Sequence, residues 1–153
     1  MKKRPVEYIE DDTLAVETAY IPELGANQVR VQVTTLEVNP TQIGWMKRDS
    51  YLPAVPIGDV MRSSGIGKVI ESNSPDFAKG DLVGGMLGAQ EVATVDASVL
   101  RKYPELPDNE VYLNVLGING LTAYFGMMEI GKPKEGETLV VSTAAGSVGS
   151  IVV

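Results

Sequence analysis

Over the first hundred residues the chain is a succession of short apolar runs with a period of two, each closed by a turn signal. That period puts alternate side chains on opposite faces of a strand, and short runs so punctuated build a barrel or sandwich rather than a helical domain. Leu14, Val16 and Thr18 alternate with Ala15 and Glu17, and Val29, Val31, Val33 and Thr35 alternate with Arg30, Gln32 and Thr34. The stretch Glu23 to Asn27 and the pair Asn39-Pro40 break the pattern, and proline withholds a ladder donor and restricts the residue before it, so both are expected as loops. Further strands are expected through Ile66, Val69 and Ile70, after the turn Phe77-Ala78-Lys79-Gly80-Asp81, and over Glu91 to Val95.

After Pro104 the pattern changes. A short helix is expected around Asn109 to Val115 and a clearer one over Gly120 to Ile130, where Leu121, Tyr124, Phe125 and Met128 share one face. Gly131 stands where a left-handed cap would end that helix, and Pro133 forbids its continuation. Leu139-Val140-Val141 is short and continuously apolar, as a parallel strand covered on both faces would be.

That run leads into Ala144-x-Gly146-x-x-Gly149, a dinucleotide fingerprint with alanine in place of its first glycine. Gly146 would admit the pyrophosphate to the backbone, Gly149 would let helix and strand pack closely, and amides near Ser147 and Val148 would point at phosphate oxygens. A small-residue strand-to-helix turn with no ligand fits the same residues. The residue that reads the ribose would lie about 20 positions beyond the glycines, so NAD and NADP are not separated.

Composition removes several chemistries. With no Cys and no His, the thiolate and imidazole ligands of ordinary zinc sites are missing, as are disulfides and Ser-His or Cys-His nucleophiles. A net charge of -7, from 20 acidic against 13 basic residues, gives no field for nucleic acid. No apolar stretch approaches the roughly 20 residues of a membrane span, and the start lacks a signal peptide's apolar middle, so a cytoplasmic protein is expected.

Taken together, Val55-Pro56-Ile57-Gly58-Asp59-Val60-Met61-Arg62, Phe77 to Val83, Gly117-Ile118-Asn119-Gly120-Leu121-Thr122-Ala123-Tyr124-Phe125-Gly126 and the final strand and turn resemble the zinc-independent medium-chain dehydrogenases/reductases. These include prostaglandin reductases, leukotriene hydroxydehydrogenases, plant double-bond reductases and curcumin reductase. The resemblance implies a mainly β, GroES-like barrel with a few helices over 1–118. It implies a connecting helix and the first strand and helix start of a truncated Rossmann domain over 119–153. It further implies NADP(H), no metal, and reduction of the C=C bond of a small α,β-unsaturated carbonyl or a quinone. Gly120 and Thr122 would approach the cofactor along with Ala144, Gly146, Ser147, Val148 and Gly149. Thr122 is equally an ordinary first-turn helix residue. Asn39, Thr41, Tyr51 and Met61 would line the substrate pocket, although the family's Asp-Pro-Tyr-Met-Arg loop is here Asn39-Pro40-Thr41-Gln42-Ile43. No residue present is identified as catalytic. The chain alone is expected to be inactive, to bind no cofactor, and to self-associate as a homo-oligomer. A non-catalytic GroES-like binding domain stays open as the alternative.

Overall fold

The computed structural model describes all 153 residues, which form two compact units, Met1–Glu105 and Leu106–Val153. The first is built on five strands: β1 (Gln28–Leu36), β2 (Ser64–Ser72), β3 (Leu82–Met86), β4 (Val92–Asp96) and β5 (Leu100–Tyr103), with helix α1 (Thr41–Lys47) between β1 and β2. All pairings are antiparallel, in the order β4-β1-β2-β3-β5. The two edge strands, β4 and β5, are consecutive and joined by the single 3-10 turn Ala97–Val99. Five strands laid flat would separate their edges by roughly 19 Å, whereas Asp96 to Leu100 reaches at most about 15 Å. The sheet is therefore rolled, and its inner face holds Val29, Val31, Val69, Val83, Leu87, Ala93 and Ala97. A second apolar cluster, Met1, Trp45, Met46, Val55 and Met61, seats α1.

The alternation around Val29 and Val31 becomes a strand with both valines buried. The same alternation at Leu14, Val16 and Thr18 does not: these residues form no strand, and Val16 is fully exposed at 104%. No strand of the chain lies beside them, and a strand without a partner has nowhere to place its amides. Asn39-Pro40 lie outside any strand or helix, as expected of a loop, but α1, for which no helix was expected, begins directly after them. Asn39 Oδ1 accepts from the Thr41 amide at 2.9 Å while Gln42 Oε1 accepts from the Asn39 amide at 3.2 Å. This reciprocal arrangement of the capping-box kind satisfies donors that a helix start leaves free.

The turn before β3 is tied by Asp81. Its carboxylate accepts from the Ala78 amide at 2.8 Å and pairs with Lys102 of β5 at 2.6 Å. The Lys102 hydrogen bond first, then the Ala78 amide, hold the Asp81 carboxyl below its ordinary value of 3.8. A depressed carboxylate stabilises the fold above its unfolded value, and the gain fades as pH falls through the folded value. Asp81→Asn is therefore expected to lower the thermal midpoint at pH 7 and to differ little from wild type near pH 2; an equal deficit at both pH values would contradict this.

The second unit contains the 3-10 turn Asn109–Leu113, helix α2 (Ile118–Tyr124) continued by a π-helical stretch, Phe125–Gly131, and the short helix α3 (Gly149–Val152). The wider π winding, with the Lys132 amide bonded to the Met127 carbonyl at 2.7 Å, moves the left-handed cap from the expected Gly131 to Lys132 (φ 46°, ψ 52°). Pro133 disfavours a right-handed helical Lys132 in any case. The apolar face Leu121, Tyr124, Phe125 and Met128 exists but is each time more than half exposed, while Gly120 and Ala123 turn inward. Leu139 to Val141 form no strand, and Val140 is 88% exposed. A strand covered on both faces requires parallel neighbours, and the chain contains none.

Candidate functional site

Of the four residues expected at a substrate pocket, the first unit gathers three around α1. Met61 is buried in the cluster with Trp45, and Tyr51, 74% exposed, meets the Trp45 ring edge-on with centroids 6.2 Å apart. Asn39 is held by Gln42, whose amide also donates to the Glu37 and Arg62 carbonyls at 3.2 Å each. Thr41 is on α1 itself, exposed at its first position, with its amide rather than its hydroxyl engaged by Asn39. Met61 thus has a packing role that by itself accounts for its apolar character.

Reading the sequence did not single out Trp45 or Gln42, and Arg62 entered only as part of the segment Val55 to Arg62 that carries the resemblance. The Arg62 guanidinium lies 5.4 Å from the Trp45 ring centroid and donates to the Pro53 carbonyl at 3.0 Å. Residues 17 apart in sequence with no shared periodicity leave no local signal for such a contact. The one local signal available was the Asn39 to Gln42 spacing, a helix-start pattern that the loop expectation at Asn39-Pro40 passed over.

In the second unit, Gly120 and Thr122 lie on α2, which packs against α3 at the end of the glycine turn. Gly120 is buried, and a Cβ there would sit 1.8 Å from the Val115 carbonyl oxygen, so close backbone approach dictates glycine. The Thr122 hydroxyl is exposed and donates to the Ile118 carbonyl one turn back at 2.7 Å. That leaves its oxygen free as an acceptor.

The turn itself is shaped by Thr143, which is left-handed at φ 53°; Ala144, in the position of the fingerprint's first glycine, is not. Alanine is tolerated at 144 for that reason. The Thr143 carbonyl accepts from the Gly146 amide at 2.8 Å. A Cβ on Gly149 would fall 2.2 Å from that same oxygen, and one on Gly146 would meet the Thr143 Cγ2 at 2.9 Å. The amides of Ser147 and Val148 donate to no acceptor within the chain. Two free amides beside two glycines at a helix start suit a phosphate, which needs donors and close backbone access. No group of three Asp or Glu side chains gathers where a metal ion could be held, and no helix is long and apolar enough to cross a membrane.

Comparison with known proteins covers both units. A family model described as the N-terminal domain of oxidoreductase matches residues 1–103. The NADPH-dependent curcumin reductase of Escherichia coli strain K12 is 43% identical over 130 residues, covering 84% of this chain and 38% of that protein. Prostaglandin reductase 1 of Mus musculus is 34% identical over 156 residues, covering 99% of this chain and 46% of that protein. Among solved structures, that of CurA from Vibrio vulnificus in complex with NADPH aligns with a TM-score of 0.91 at 32% identity, over 99% of this chain and 45% of that one. The chain spans less than half the length of each of these relatives.

Proposed function

Because the chain belongs to the prostaglandin reductase and curcumin reductase branch of the medium-chain dehydrogenases/reductases, whose amino-terminal part it carries, we propose that it is the substrate-side half of an NADPH-dependent reductase of α,β-unsaturated carbonyls that works without zinc. The observation that carries this reading is the turn Thr143 to Gly149, whose free Ser147 and Val148 amides and close-packed glycines match a pyrophosphate's requirements. The identity to an NADPH-dependent curcumin reductase supports it, since curcumin is such a carbonyl.

When bound, NADPH supplies the hydride for the β-carbon. The Ser147 and Val148 amides would hold its phosphate oxygens, in a turn closed by the Gly146 amide on the Thr143 carbonyl and kept tight by Gly149. Thr122, its hydroxyl proton committed to Ile118, would offer a lone pair to the nicotinamide end. On the substrate side the acceptor would lie beside α1, against Asn39, Tyr51 and the exposed Thr41, with Met61 behind them in the cluster that seats Trp45. The absence of His and Cys fits a reaction in which no zinc polarises the carbonyl. We assign residues 1–118 to the substrate side and 119–153 to the cofactor side, in a cytoplasmic protein.

The test is NADPH oxidation by a protein that joins this chain to a complete dinucleotide domain, with conjugated alkenals, enones and quinones as acceptors. Turnover of alkenals and enones is expected; tight NADPH binding without turnover of any acceptor would remove the reductase claim, and turnover of quinones alone would change the acceptor class. The 153-residue chain by itself is expected to show no saturable micromolar affinity for NADPH in equilibrium binding. Its exposed Leu121, Tyr124, Phe125 and Met128 also predict self-association, which light scattering would detect; a monodisperse monomer would refute it.

A further inference from the structure

Among the half-buried side chains of the first unit, Arg62 is a cation without a counter-ion. Arg30, similarly sheltered, is ion-paired with Glu71 and also donates to the Pro22 carbonyl. Arg62 makes no ion pair although the chain carries 20 carboxylates. Its guanidinium is nevertheless fixed. The Trp45 ring lies 5.4 Å from it, and the Pro53 carbonyl takes one of its five N–H groups. Its backbone is fixed too, by the Gln42 amide. Trp45 in turn is immobilised within the cluster of Met46, Val55 and Met61, and its own indole N–H is buried without an acceptor.

A cation stacked on an indole keeps its charge and most of its donors, and a planar fork so held matches a carboxylate in two-point geometry. If the arginine served packing alone, the stem would suffice and the head would turn to water or to one of the many acidic groups. Tyr51, against the edge of the same indole, adds an exposed aromatic wall beside it. We infer that Arg62, positioned by Trp45, recognises a carboxylate on the acceptor, so that the substrate class is an α,β-unsaturated carbonyl with an acidic end. This inference rests on the reductase reading above and names the substrate of that same site.

In the protein joined to a complete dinucleotide domain, Arg62→Met is expected to lower kcat/KM for a 4-oxo-2-alkenoate by about 10- to 100-fold, the loss of a charge-assisted hydrogen-bonded pair. The methyl ester of the same acid should change by no more than about twofold, because it never engaged the charge. Arg62→Lys should fall between wild type and Arg62→Met on the acid. Equal losses on acid and ester, or no loss on the acid, overturn the assignment, and retained ester activity shows that the variant is folded. Should the wild type reduce neither compound, the reductase reading fails instead. Trp45, the sole tryptophan, then decides Arg62 directly through its emission in the 153-residue chain. A saturable change with a saturated alkanoate, missing with its ester and in Arg62→Met, upholds anion recognition. No such change, or one that survives the substitution, overturns it.

Discussion

Gly67→Ala should destabilise the first unit more than any truncation on its surface, lowering the thermal midpoint by roughly 12–24 °C for about 3 kcal/mol lost. The reason lies in the pairing of β1 with β2. Gly67 stands opposite Val33, immediately before the register slips by one residue at Thr34. There the two backbones approach so closely that a Cβ would be 2.2 Å from the Gln32 carbonyl oxygen and 2.8 Å from Val31 Cγ1. A carbonyl in the middle of a ladder cannot yield without breaking its neighbours' hydrogen bonds, and Val31 is fully buried, so relaxation must move the core. Gly44→Ala is the matched control. It sits in α1 with nothing within 4 Å of the added methyl, and alanine is the better helix former, so a gain of about 0.5–1 kcal/mol is expected. Circular-dichroism melts of the two variants would decide the matter; a Gly67→Ala midpoint within about 2 °C of wild type would show that β1 and β2 can part to admit a methyl group.

How far the fold could be read from sequence follows from the same physics. Val29 and Val31 declared a strand because a half-buried strand imposes a period of two, and that period survives in any one sequence. Leu14, Val16 and Thr18 carry the identical signal, yet pairing is a property of two segments, and the second segment is what periodicity cannot report. Leu139 to Val141 failed as a strand for the same reason. Helix α1 was legible in the Asn39 and Gln42 side chains but was masked by Pro40, which is as much at home at a helix start as in a loop. On the site, Gly149 was readable because its role depends on backbone spacing within six residues. Met61 was named for a pocket but emerges in a core, and the Arg62 and Trp45 contact depends on a tertiary fold that brings the end of one loop over a helix. Local patterns thus disclosed the close-packed glycine turn, whereas the contacts around α1 are long-range.

Gly149→Val is expected to weaken NADPH binding by at least about 100-fold in a protein that joins this chain to a complete dinucleotide domain, close to 2.7 kcal/mol. The side chain would enter a space bounded wholly by backbone: Thr143 O at 2.2 Å, Thr143 C at 2.9 Å and Ala144 Cα at 3.0 Å from the Cβ. The Thr143 carbonyl would have to swing away, and with it would go its bond from the Gly146 amide, which closes the turn. Once that bond is lost, the turn no longer holds the Ser147 and Val148 amides in place, and an anion would lose both donors together. Gly146→Ala should be milder, about 10-fold, because its nearest neighbour is a methyl of Thr143 that a rotamer change can move. Thr143→Gly should do the opposite to the turn, since a β-branched residue at φ 53° is strained and glycine is not, stabilising it by up to about 1 kcal/mol. Isothermal titration with NADPH orders the three variants. If Gly149→Val bound with wild-type affinity, the phosphate would have to be held elsewhere, and the turn would be a close-packed connection between two elements with no ligand to serve.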